Sequence, residues 1–251
     1  MAELRSNRVK RKLANGGTAM VVSGLMTPDI VDFLGPLGFD GFWFEGEHGP
    51  VDYNHIPDLA RACDLWGVTS IVRVNQNVPG IIYRTLDLGA QGICVPHINT
   101  AAEAGAVVDA AKFHPIGHRG ISGGRWAYGV TDAIAKANDE TLVMILIEDI
   151  VAVNNLDEIL AVDHVDVYFV APGDLGQSMG YLGAPNAEVQ ATIDGAIRKI
   201  AAAGKVAGAL VTDANVERYA GLGARFLFCG WGPWVTAGAR AYMDKVASLK
   251  A

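Results

Sequence analysis

Read for its apolar positions alone, the chain alternates between two patterns. Short β-branched runs are apolar at nearly every position, and longer stretches carry apolar residues three and four apart. The short runs fall at Thr18–Val22, Gly41–Phe44, Thr69–Val74, Gly92–Pro96, Leu142–Ile147, Val167–Val170, Val206–Val211 and Arg225–Phe228. Runs this short and this apolar fit the strands of a parallel sheet. The stretches between them, such as Val51–Trp66, Ala101–Phe113, Val189–Ala203 and Trp234–Leu249, are long enough for amphipathic helices that each cover a seam between strands. Strand followed by helix, repeated eight times in a chain of this length, fits an α/β fold closed into a (β/α)8 TIM barrel better than an open doubly wound sheet. One stretch departs from the rhythm: Gly117–Asp139 is Gly-rich and is expected to be a long loop over the barrel mouth.

The 251 residues, 51% of them hydrophobic, suffice for a substantial core. No Pro/Ser-rich linker or charge block divides them, so residues 1–251 are expected to form one barrel domain. A net charge of −7, with no basic stripe, argues against nucleic acid as a partner. The three cysteines, Cys63, Cys94 and Cys229, are scattered and odd in number, which fits a reducing compartment rather than a disulfide framework. The charged start lacks the apolar segment of a signal peptide, and no later stretch has the length of a membrane span. The expectation is a cytoplasmic protein without a membrane partner.

In a barrel of this kind chemistry collects where strands end at their C-terminal side. There the sequence places Glu45-Gly46-Glu47-His48, Arg73, Glu148-Asp149 and Ala171-Pro172-Gly173-Asp174. Glu148 and Asp174 end consecutive strands, about 4.8 Å apart, and can converge on one ion. Oxygen ligands without a Cys or His cluster suit a hard cation such as Mg²⁺ or Mn²⁺, with positions left open for water and substrate oxygens. A 2-oxo acid could chelate such an ion and be polarised towards its enolate. Enolate chemistry also needs a proton acceptor and a second positive group, for which His48 and Arg73 are available. A carboxylate such as Asp87 would orient the imidazole.

The strings Phe39–His48, Val72-Arg73-Val74, Leu86–Gln91, Phe113–Gly120, Lys136–Asp139, Ile147-Glu148 and Pro172–Gly180 follow one another in the order found in the HpcH/HpaI family, which the chain resembles over nearly its whole length. That resemblance implies a class II pyruvate aldolase: reversible cleavage of a 4-hydroxy-2-oxo acid to pyruvate, or hydroxypyruvate, and an aldehyde, with Mg²⁺, Mn²⁺ or Co²⁺ as cofactor. It implies Glu148 and Asp174 as metal ligands, His48 as base with Asp87 as its partner, and Arg73 on the keto oxygen. The amides of Gly173 and Asp174 would take the substrate carboxylate. Glu47, beside Glu45, would hydrogen-bond water carried by the metal. It also implies a homohexamer in which the C-terminal helix is exchanged between subunits. Departures from the family pattern stand at Val22, Glu45, Leu146 and Ala171, around the pocket, and bear on the choice of aldehyde.

His97, His114, His118 and His164 are assigned structural or surface roles, although His97 follows a strand and so has access to the mouth. Asp149 is expected to be merely solvated, and Arg119 and Arg125 are the candidates for a substrate's distal acid. Three rival functions would leave different marks. A Schiff-base aldolase needs a lysine at a strand's C-terminal end, and none is found there. A CoA-thioester lyase of the citramalyl or malyl type would be recognised by CoA binding. A non-catalytic metabolite-binding barrel would be recognised by indifference to metal.

Overall fold

The computed structural model describes residues 3–183 and 186–249. Eight parallel strands, β1 (Ala19–Ser23), β2 (Gly41–Glu45), β3 (Thr69–Arg73), β4 (Gly92–Val95), β5 (Leu142–Ile147), β6 (Val167–Val170), β7 (Ala207–Leu210) and β8 (Ala224–Gly230), close into a barrel in sequence order. β8 pairs with β1 from Ala19↔Phe226 to Ser23↔Gly230, which completes the circle. The strands lie within a residue or two of the runs read from the sequence.

Alternation along each strand divides the apolar residues into two cores. One face, including Val22, Phe42, Phe44, Val72, Ile93, Ile145 and Tyr168, packs outward against the helices. The other, with Val21, Trp43, Ile71, Cys94, Met144, Leu146, Phe169 and Phe226, fills the barrel interior. Near the upper end the filling is aromatic: the Trp43 ring lies 5.6 Å from that of Phe169 and 4.6 Å from that of Phe228. Phe169 has room because β7 carries Gly208 opposite it, where a Cβ would stand 2.7 Å from the Phe169 ring.

The lower end is plugged by a helix, Arg8–Ala14, that the hydrophobic pattern did not flag. It has only two buried side chains, Val9 and Leu13, four residues apart, and both join the interior core. Its charged residues bind the strand starts: Arg8 and Lys12 pair with buried Asp40, Lys10 pairs with Asp166, and the Leu13 carbonyl accepts from Arg225. Asn7 caps the helix through the Lys10 amide and donates to the carbonyls of Gln91 and Glu140.

Residues 117–139 correct the expectation of a mouth loop. The helix Ala101–Ala111 runs from the upper to the lower end, and β5 starts again from the lower end, so the segment between them stays below. It contains a short helix, Ala133–Glu140, and is fixed by buried Lys112, which donates to the Asn138 carbonyl at 2.7 Å and the Thr141 carbonyl at 2.6 Å. Within it Arg119 is buried against Phe113 and Trp126 and pairs with Asp87, while Arg125 pairs with Asp64. Neither arginine reaches the mouth of its own barrel.

The C-terminal helix, Gly232–Ala247, has no buried residue; Trp234 stacks on Phe39, and Val235, Tyr242, Met243 and Val246 are exposed. No helix among the described residues is long and apolar enough to cross a membrane.

Because the plug inserts Leu13 into the closed core, Leu13→Ala is expected to cost about 2–5 kcal/mol of unfolding free energy. Urea titration followed by tryptophan fluorescence measures it, and an unchanged midpoint would show that the plug is dispensable.

Candidate active site

The interior alternation that ends in aromatic rings continues for one more step at several strands, and there it turns charged. Glu45 follows Trp43 on β2, Arg73 follows Ile71 on β3, and Glu148 follows Leu146 just past β5. Glu45 and Arg73 are direct neighbours in the β2–β3 register. Arg73 Nε donates to both Glu45 oxygens, at 2.9 and 2.8 Å, and its Nη1 lies 2.8 Å from Glu47 Oε2. Glu45 also accepts the amides of Glu47 and His48 at 2.8 and 3.1 Å and the Trp43 indole at 3.2 Å. Gly46 makes this crossing possible: its amide donates to the Arg73 carbonyl, and a Cβ there would stand 2.6 Å from that oxygen.

Burial works against charge at both residues and is overcome by the pairing. It would raise the Glu45 carboxyl, but the hydrogen bond and charge of Arg73 hold it below its ordinary value. It would lower the Arg73 guanidinium, but Glu45 and Glu47 hold it above.

Across the mouth Glu148 is 1% exposed. Its Oε1 accepts the His97 amide at 2.8 Å, and its Oε2 is buried with no hydrogen-bond partner. Burial is the main reason its pKa rises from 4.5 to about 7; the nearby charges of Asp174 and Glu47 raise it further, against the opposing amide and charge of His97. Asp174 lies in the first turn of the short helix Pro172–Ser178, whose N-cap position, Ala171, supplies no side-chain cap, and Gly173 precedes it.

His97, read from sequence as structural or surface but with access to the mouth, stands at this rim. Its Nδ1 is 3.1 Å from Asp149 Oδ2, and its Nε2 stands 3.9 Å from Glu47 Oε1. Burial lowers its pKa, but the bond to Asp149 and the charges of Glu148, Asp149 and Glu47 outweigh it, so the ring is shifted upward. Asp149 is likewise more than solvated, since it holds His97 and accepts from Asn99 at 3.2 Å.

The structure therefore gathers Glu45, Glu47, Arg73, Glu148, Gly173 and Asp174 at one rim, with His48 exposed at its edge and its Nε2 3.9 Å from Glu47. It does not bring Asp87 to His48. Asp87 ends the helix Pro79–Asp87 at the lower end of the barrel, where Arg119 holds its carboxylate at 2.7 Å. Strand and helix run in opposite directions, so the two residues of one chain lie at opposite ends. Among the described residues no group of three or more His, Cys, Asp or Glu is arranged to hold a metal ion; Glu148 and Asp174 offer two carboxylates.

A parallel eight-stranded barrel whose C-terminal rim sets buried carboxylates beside a clamped arginine has the make-up of a barrel enzyme for anionic, oxygen-rich substrates. The chain belongs to the HpcH/HpaI aldolase/citrate lyase family, whose model matches residues 18–232. It is 35% identical to the 2-keto-3-deoxy-L-rhamnonate aldolase of Klebsiella pneumoniae, over 92% of this chain and 89% of that one. It is 37% identical to a hydroxypyruvate/pyruvate aldolase of Roseovarius nubinhibens, over 90% of each. Among solved structures it superposes on an HpcH/HpaI aldolase/citrate lyase family protein from Burkholderia cenocepacia with a TM-score of 0.91, at 26% identity, covering 97% of this chain and 100% of that one.

The raised Glu148 pKa fixes the sign of a pH effect. The folded state favours the protonated carboxyl, so its stabilising contribution is present below 4.5 and lost as pH rises through about 7. In chelator-treated protein the thermal midpoint is expected to fall across that window, and Glu148→Gln to remove that component. Differential scanning fluorimetry of both proteins between pH 4.5 and 8 checks it; the same slope in both would assign the effect to another group.

Proposed function

We propose that the chain catalyses the reversible aldol cleavage of a 4-hydroxy-2-oxo acid to pyruvate, or hydroxypyruvate, and an aldehyde. The observation that carries this reading is the buried, unpartnered Oε2 of Glu148 beside Asp174, across the mouth from Arg73. The relatives' names, hydroxypyruvate/pyruvate aldolase and 2-keto-3-deoxy-L-rhamnonate aldolase, point the same way.

A buried carboxylate oxygen without a hydrogen-bond donor, next to further acids, fits a hard divalent cation, and Glu148 and Asp174 are the residues that would hold it. When bound, Mg²⁺, Mn²⁺ or Co²⁺ would supply Lewis acidity towards the 2-oxo acid. Arg73 holds the keto oxygen. Its Nε and Nη1 are committed to Glu45 and Glu47, which fixes the plane of the guanidinium and prepares it for negative charge on that oxygen. The first amides of the helix Pro172–Ser178, at Gly173 and Asp174, take the substrate carboxylate, since such amides have no partner within a helix. His48, exposed at the rim, accepts the proton of the 4-hydroxyl as the C3–C4 bond breaks and delivers a proton to C3 of the enolate that remains, giving pyruvate; condensation runs the same transfers in reverse.

Assembly is part of the proposal. The exposed apolar side of Gly232–Ala247 would pack on a neighbouring barrel in a closed oligomer, for which the resemblance implies a hexamer. Asp87 could then meet His48 only across subunits, because the two stand at opposite ends of one barrel. Light scattering is expected to show the closed oligomer, and Val235→Glu with Val246→Glu to dissociate it; a wild-type monomer at micromolar concentration would contradict this.

The roles of the rim residues are separated by following the methyl protons of pyruvate in D₂O by NMR, with no aldehyde present. Wild-type protein with Mg²⁺ is expected to exchange them, and chelator to stop the exchange. His48→Ala should lower aldol cleavage by roughly 10²–10⁴-fold. Arg73→Lys should restore exchange poorly, because a point charge does not reproduce the planar fork. Wild-type rates of exchange and cleavage in His48→Ala would show that another residue is the base.

A further inference from the structure

Where β4 ends, the chain adopts a conformation that the sequence did not announce. His97 has a φ of +54°, in the left-handed region that side-chain-bearing residues seldom enter, and in which Asn, Asp and His are the commonest of them. This backbone turns the His97 amide onto Glu148 Oε1 at 2.8 Å, while the ring stays in the mouth with its side chain 56% exposed.

The turn is secured from behind by a chain of bonds. The ring Nδ1 lies 3.1 Å from Asp149 Oδ2, which also accepts from Asn99 Nδ2 at 3.2 Å. The Asn99 amide donates to Glu103 Oε2 at 2.7 Å, and its carbonyl accepts from Asn155 at 2.9 Å. Glu103 is in turn fixed in the capping box of the helix Ala101–Ala111. A strained backbone held in place by this many contacts has the character of a positioning device.

Its effect falls on Glu148. With Oε1 occupied by the amide, the carboxylate cannot rotate freely, and Oε2 is the oxygen left buried without a partner. We propose that His97 is a positioning residue for the cation. Its left-handed backbone engages one oxygen of Glu148 and so presents the other as a single, fixed ligand, while its imidazole, held by Asp149, keeps that backbone in place. The inference rests on the reading of Glu148 and Asp174 as cation ligands.

The test is the affinity of the intact protein for Mn²⁺, read from the electron paramagnetic resonance signal of the free ion without any turnover. His97→Asn tolerates the left-handed backbone and retains a side-chain N–H for Asp149, so it should bind Mn²⁺ about as tightly as wild type. His97→Val, branched at Cβ, resists that backbone and should bind about 10- to 100-fold more weakly, the usual scale for a residue that orients a metal ligand. His97→Ala, which keeps the crowding of Cβ against the following carbonyl and has no polar side chain to offset it or to bond Asp149, should weaken binding in the same direction and serves if the valine variant does not fold. Wild-type affinity in folded His97→Val or His97→Ala would overturn the proposal. So would a loss in His97→Asn as large as that in the valine variant, because it would assign the effect to the imidazole and not to the backbone. Wild-type protein that binds no Mn²⁺ would overturn the cation reading itself, which separates the two failures.

Discussion

The upper end of the barrel is organised around one constraint: a guanidinium is taken largely out of water at Arg73 and has to be held charged there. An unpaired buried cation would be strongly unfavourable, and geometry decides whether its partners compensate for lost hydration. Here Glu45 accepts Nε with both oxygens, Glu47 meets Nη1, and backbone amides and an indole take up the rest of Glu45. The position of the loop after β2, and hence of His48, follows from satisfying that one charge. Glu148, across the mouth, has no comparable partner and is shifted towards neutrality. The asymmetry between a saturated pair on one side and an unsaturated carboxyl on the other gives the rim its chemical direction.

The aromatic layer beneath matters to both halves. Trp43, Phe169 and Phe228 pack together in the barrel interior beneath the charged residues. Glu45 is tied to this floor through the Trp43 indole. Leu146 and Ala171, two of the departures from the family pattern, lie in or against the same interior core, and Val22 packs on the helix side of β1. Leu146 and Ala171 therefore border the site from below, whereas Val22 faces the helices and not the pocket.

Strand positions were readable from the chain because parallel barrel strands are apolar on both faces, a signal that survives without any knowledge of partners. The rim residues were readable because each stands at or just beyond the end of such a run, as Glu148 does after β5. Other features were hidden for particular reasons. The plug Arg8–Ala14 buries only Val9 and Leu13, too few to register as periodicity among so many charges. The side of the barrel on which Asp87 and residues 117–139 fall depends on the direction of the preceding helix, and proximity in sequence to strand residues masked it. His97 was readable as a residue with access to the mouth, but nothing in its neighbours' types betrays its left-handed backbone. Its contact with Glu148 joins residues 51 apart.

The plug has a bearing on how the molecule is made. Its carbonyl at Leu13 waits for Arg225, a separation of 212 residues, and its lysines and arginines wait for Asp40 and Asp166. During synthesis from the N-terminus this charged helix therefore emerges long before the last strand that encloses it. Contacts of such long sequence separation form late and slowly, because the chain entropy of closure must be lost first. Until β8 arrives, this charged stretch with its two apolar side chains lacks the enclosure that holds it, and seven residues are too few to stay helical alone.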